Sequence, residues 1–198
     1  MLGGGLLLAF DQLAADARLA PGPIKGAPLA ELAASRISGY RRVSDRLLGG
    51  GTDPAVAFGP YLVVWREYHE RTTPSDWWEA LVKAYIGDGI AADFLAEVIS
   101  RLSLGERAAV ARLLPDAKVE AFLQSELAGG IAADPVLGAR LSLWARRLVG
   151  ESVAQAGRIV QERPALAAVL GDEAAVGVVL RRLTTSNSVR MAAVGLNG

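Results

Sequence analysis

The chain has 198 residues, with 21 basic side chains balancing 21 acidic ones, so it can bury a sizeable core but carries no net field to gather nucleic-acid phosphates. It has no cysteine, which removes disulfides, thiolate metal ligands and cysteine nucleophiles and agrees with a reducing, cytoplasmic setting. Hydrophobic residues reach 52%, but charges interrupt every apolar stretch well before the roughly 20 residues a membrane span needs. MLGGGLLLAF also runs straight into Asp11 and Asp16 without the basic start of an export signal.

Alanine and leucine dominate and apolar residues recur at three and four spacing, so the expectation is an all-α chain forming one domain over residues 1–198. A first helix is predicted from about Leu6 to Leu19, halted by Pro21 and Pro23. A second runs from about Pro28 to Leu48 and stops at Gly49 to Gly51. A third covers Pro54 to Arg71, disturbed near Gly59 and Pro60. The fourth opens at TTPSD, with Thr73 as cap and Pro74 in the first helical position, and reaches Leu102. Ser103 and Glu106 form a capping box for a further helix that must kink at Pro115 and continues to about Ala128. Asp134 and Pro135 then open a long helix ending near Pro164, and a last helix spans about Asp172 to Val194.

Helical phase selects the candidate interior charges. Asp88 shares a face with Leu81, Tyr85, Ala92, Leu95 and Ile99, and Arg36 shares one with Leu29, Leu32, Tyr40, Val43 and Leu47. Asp116 continues the stripe through Val119 and Leu123. An isolated buried charge costs several kcal/mol, so Arg36 is expected to meet Asp88, Asp116 or both. The alternative, Arg36 snorkelling to water, is less consistent with its apolar neighbours.

Gly87 and Gly89 flank Asp88 inside the fourth helix and predict close helix approach or a local bulge; they have no phosphate-loop spacing. Trp78 is expected in the core and Trp77 nearer the surface. Trp144 with Arg146 and Arg147 reads as a solvated helix face rather than a nucleic-acid surface. His69, the single histidine, with Glu67 and Glu70 reads as a surface group rather than a metal trio. Ser186, Asn187 and Ser188 interrupt the last helix with polar side chains.

Three segments carry a family resemblance: AFDQLAADARLAP at Ala9 to Pro21, YHERTTPSDWWEALVKAYIGDGIAADF at Tyr68 to Phe94, and LSLWARRLVGE at Leu141 to Glu151. Through them the chain resembles actinobacterial ferritin-like proteins related to the tRNA 2-methylthio-isopentenyladenosine hydroxylases, a family called MiaE-like. The resemblance implies a ferritin-like four-helix bundle with additional helices. It also implies a two-iron centre held by one carboxylate from each of two helices and an E-x-x-H pair from each of the other two, residues three apart sharing one helix face. Carried over position by position, the first glutamate falls on Leu6, the first pair on Arg36 and Gly39, the next acid on Asp88, and the second pair on Asp116 and Val119. Of these positions only Asp88 and Asp116 keep an acid, so no metal and no cofactor is expected.

The leading reading is a metal-independent bundle that binds an apolar small molecule in its core, with Arg36, Asp88 and Asp116 as candidate catalytic residues. Leu6, Gly39, Tyr40, Tyr85 and Val119 are the candidate ligand-binding residues. An arginine beside carboxylates in an apolar cavity suits a redox-neutral cyclisation or isomerisation. The competing readings are a di-iron hydroxylase acting on tRNA or a small molecule, and a non-catalytic scaffold. Expected partners are a small molecule and a second copy of the chain as a homodimer, with neither nucleic acid nor membrane.

Overall fold

Helix boundaries follow the polar caps and prolines. The computed structural model describes residues 2–101, 117–162 and 164–197, and every regular element among them is a helix. In chain order these are α1 (Leu2–Asp16), a short 3-10 turn (Ala17–Leu19), α2 (Pro23–Gly49), α3 (Pro54–Arg71), α4 (Trp77–Val82), a π-helical turn (Lys83–Gly87), α5 (Asp88–Ile99), α6 (Ala117–Ala133), α7 (Pro135–Glu162), α8 (Pro164–Leu170) and α9 (Glu173–Ala193). The predicted capping box at Ser103 and the kink at Pro115 lie outside the described residues. No described helix is long and apolar enough to cross a membrane.

Three aspartates cap as their sequence positions suggest. Asp53 accepts from the Ala55 amide at 2.8 Å, Asp134 from Val136 and Leu137 at 2.9 and 3.2 Å, and Asp172 from Ala175 at 2.8 Å. At the start of α4 the cap is not Thr73, whose hydroxyl instead donates to the His69 carbonyl at 3.1 Å. Asp76 takes the Glu79 amide at 2.9 Å, while the Glu79 carboxylate accepts from the Ser75 amide and hydroxyl, both at 2.8 Å. The aspartate can therefore satisfy an orphan amide that a threonine three residues earlier could not reach. Gly51 and Gly171 follow α2 and α8 with φ of 75° and 108°, a left-handed backbone that suits glycine.

Backbone packing divides the chain into two compact units, Met1–Ala80 and Leu81–Gly198. In the first, α1 packs on α2 and α3. α1 starts four residues earlier than Leu6 because Gly3, Gly4 and Gly5 lie against α3. A Cβ on Gly3 would overlap the Phe58 ring, one on Gly4 would stand 3.1 Å from Leu62 Cδ2, and one on Gly5 3.3 Å from Trp65 Cε2. Each glycine costs a helix about 1 kcal/mol, and the close approach to aromatic surface offsets that cost. Gly26 does similar service where α2 begins, since a Cβ there would stand 2.6 Å from the Ala17 carbonyl oxygen.

In the second unit, α7 packs against α6, α8, α9 and the π turn. Its inward stripe contains Leu141, Ala145 and Leu148, all without solvent exposure. α9 lies along α5 and is unbroken through Ser186, Asn187 and Ser188. The polar stretch leaves the helix continuous, as expected over about Asp172 to Val194: Ser186 and Ser188 are exposed, and Asn187 is fully buried and donates to the Leu183 carbonyl at 2.8 Å within the same helix. α8 was not anticipated; Pro164 starts it rather than ending α7's chain direction, as a proline in the first helical turn can.

Candidate functional site

The sequence-predicted residues divide between the two units. In the first, Leu6 on α1 and Arg36 and Gly39 on α2 are buried, Leu6 at 7% and Arg36 at 6% exposure. Arg36 therefore does not snorkel. It is not an isolated charge either. Tyr40, one residue on, is half-buried and tilts against Phe58 with ring centroids 5.9 Å apart. In the second unit, Tyr85 and Val119 are buried and Asp88 is partly buried, while Asp116 lies outside the described residues. Trp77 and Trp78 exchange their expected places: Trp77 is buried at 7% exposure and Trp78 is half-exposed. Helix α4 begins at Trp77 itself, which resets the phase assumed from Thr73.

The π turn explains what Gly87 and Gly89 signalled. It widens the helix by one residue, a feature often found at functional positions, and Leu81 through Ile86 are consecutively buried. A regular amphipathic α-helix would turn part of such a run to solvent. The Asp88 amide is shared between the Ala84 and Tyr85 carbonyls as α-helical bonding resumes. One residue on, Gly89 supplies the close approach: a Cβ there would overlap the Arg190 guanidinium, which crosses α5 at that point.

Arg190 organises a polar network that sequence reasoning missed. Its Nη2 donates to both Asp93 oxygens at 3.3 and 3.2 Å, and its Nη1 to Asn187 Oδ1 at 3.0 Å. The Tyr85 hydroxyl donates to the Arg190 carbonyl at 3.3 Å and accepts from Gln124 Nε2 at 3.2 Å. These bonds tie the π turn, α5, α6 and α9 into one polar seam. Asp93 and Arg190 are 97 residues apart, and no local periodicity signals such a pair.

Burial pushes the Tyr85 phenol above its ordinary value of 10.0, and the Glu120 charge adds to this; the Gln124 hydrogen bond and the Arg190 charge pull the other way. The neutral phenol is thus the form the fold favours. Its contribution to stability is complete below about pH 10 and is lost as pH rises through the raised folded value. Alkaline titration of the near-ultraviolet phenolate band should therefore show a late-ionising component that disappears in Tyr85→Phe. The variant should also lose less stability than wild type above pH 10. A Tyr85 signal at the free-phenol position would contradict its burial.

Beside this seam, α5 and α9 bound an open groove of about 760 Å³, within the range of small-molecule sites. Asp93, Glu97 and Ser100 line one side, and Arg181, Arg182, Thr185 and Ser186 the other, with Ala96 and Val178 as its exposed apolar surface. Glu97 accepts from Arg101 at 2.8 Å and from Arg182 at 3.1 Å. The Arg101 hydrogen bond, with that from Arg182, holds its carboxyl below the usual value despite some burial.

A two-iron centre does not fit these residues. Leu6, Gly39 and Val119 offer no donor, and Arg36 places a cation on the face where a ligand pair is implied by resemblance. Among the described residues there is no group of three or more His, Cys, Asp or Glu side chains able to hold a metal. His69 accordingly has no metal trio with Glu67 and Glu70; its ring packs edge-on to Tyr68 at 5.3 Å. Trp144 is buried, against the expectation of a solvated face, while Arg146 and Arg147 are exposed and the Arg147 guanidinium stands 5.6 Å from the Trp144 ring centre in a cation–π contact.

The all-helical architecture agrees with a ferritin-like protein. Residues 1–173 match the family model for the ferritin-like domain of actinomycetes, and the chain belongs to that family. No curated protein matches it.

Proposed function

We propose that this chain is a metal-independent ferritin-like protein that binds a small molecule within its helices, from the MiaE-like branch its sequence resembles. The observation that carries the reading is Arg36: a guanidinium at 6% exposure on the helix face where that branch implies a glutamate and a histidine. A fixed positive charge repels a divalent cation and cannot donate a lone pair to it. Leu6, Gly39 and Val119 replace polar ligands with apolar or absent side chains, which favours an apolar guest over an ion. The reaction class such groups can serve is redox-neutral. A phenol kept protonated at Tyr85 and a carboxylate at Asp88 can exchange protons with a substrate in a cyclisation or isomerisation.

Protein purified from iron-supplemented culture should contain far less than one equivalent of iron or manganese per chain by elemental analysis. The same preparation should bind the apolar dye anilinonaphthalene sulfonate saturably while its near-ultraviolet circular dichroism stays native. Two metal ions per chain would overturn the metal-independent reading, and absence of saturable dye binding by the native fold would leave a scaffold role in its place.

A further inference from the structure

The groove between α5 and α9 is lined by charges of both signs. Its two carboxylates are already engaged: Asp93 by Arg190 at 3.2 Å, and Glu97 by Arg101 at 2.8 Å and Arg182 at 3.1 Å. The groove wall itself carries two cations, Arg181 and Arg182, and two carboxylates, and the carboxylates are also held by Arg101 and Arg190, which lie outside the lining. Arg181 has no ion-pair partner among the described residues. Its Nη1 lies 3.4 Å from where a Cβ on Gly177 would stand, so its head folds back over a residue that offers no side chain. The Thr185 hydroxyl donates to the Arg181 carbonyl at 3.0 Å, and the Ser100 hydroxyl donates to the Glu97 carbonyl at 2.8 Å and accepts from Arg101 Nη1 at 3.4 Å, so both are engaged within the groove wall. Ser186, also on the wall, adds a further hydroxyl. Ala96 and Val178, both exposed, supply an apolar surface within the same groove.

We propose that this groove binds a small amphipathic anion, its phosphate or carboxylate head on Arg181 and Arg182 and its short apolar body over Ala96 and Val178. The proposal goes beyond the apolar-guest reading: the groove is a separate site, lined by none of Leu6, Arg36, Gly39, Tyr85, Asp88 or Val119. Two adjacent arginines present forked donors that match either head group. Arg182 can turn to the ligand without stranding Glu97, because Arg101, just past the end of α5, holds that carboxylate as well. The volume of about 760 Å³ exceeds what an inorganic anion needs, which is why an apolar body is part of the assignment.

The test is calorimetric titration of the full chain with octyl phosphate and octanoate below their micellar concentrations and octanol below its solubility limit. At least one of the two anions should bind saturably and octanol at least tenfold more weakly; which anion binds tighter identifies the head group. Arg181→Gln, which breaks no ion pair and should leave the melting temperature unchanged, should weaken the anion about tenfold. Arg182→Gln should weaken it as well, and molar salt should weaken it further. Equal binding of octanol and the anions, or anion binding unaffected by Arg181→Gln, would overturn the assignment. Saturable octanol binding indifferent to both variants would sink the groove while preserving a small-molecule role elsewhere in the helices. Stoichiometric iron with intact anion binding would do the reverse, and no saturable binding of any probe would remove both.

Discussion

Replacing Arg36 with leucine is expected to lower the unfolding free energy by about 3–5 kcal/mol, although leucine is better suited to an apolar interior. Arg36 is 6% exposed between Leu32, Ala33 and Gly39, all buried on the same face of α2. A guanidinium so deeply placed must have its donors satisfied and its charge balanced, and Arg36 does interact. Leucine would fill the space but strand the acceptors around it, and those groups then bear their desolvation without compensation. Arg36→Lys, which keeps the charge and loses the fork, should fall between wild type and Arg36→Leu. Urea denaturation followed by circular dichroism measures this. A change within about 0.5 kcal/mol, the range of ordinary surface substitutions, would show that Arg36 is not a structural charge.

Leu141→Ala should cost about 2–5 kcal/mol through the lost transfer energy and the cavity left behind. Leu141 has no exposed surface and sits on α7, the helix against which α6, α8, α9 and the π turn all pack. Leu141→Met, which nearly conserves volume, should cost less than about 1.5 kcal/mol. Because α7 touches so many neighbours, collapse around the cavity would require several helices to move together, so the larger end of the range is expected. Equal effects of alanine and methionine in denaturant unfolding would mean that the site is loosely packed rather than central.

Much of the helical plan was legible because it depends on local chemistry. Asp53, Asp134 and Asp172 cap by bonds to amides two or three residues ahead, and Pro54 and Pro135 stand at the helix starts they announce. The burial of Arg36 was equally legible, since its phase follows from Leu29 and Leu32 on a regular helix. Phase fails where a helix is irregular. The π turn adds a residue that periodicity does not count, and the late start at Trp77 reverses the expected burial of Trp77 and Trp78. The seam of Asp93, Arg190 and Gln124 was illegible for a different reason: its members come from three helices far apart in sequence, and each alone resembles an ordinary surface residue. Gly89 was the one local trace of it, a small residue where the Arg190 head crosses.

The five residues from Lys83 to Gly87 also fix how the protein can vary by insertion and deletion. Removing a single residue from the π turn would restore ordinary α-helical bonding at low backbone cost, since the wider turn is the less favourable form. The same deletion would rotate everything after it by about 100° around the axis, the angle one residue subtends in an α-helix. Asp93 and Glu97 would then swing away from α9, carrying the acceptors of Arg190 and Arg182 with them. Lineages that keep the paired arginines of α9 should therefore keep this extra residue, and those that lose it should lose the charges opposite in step.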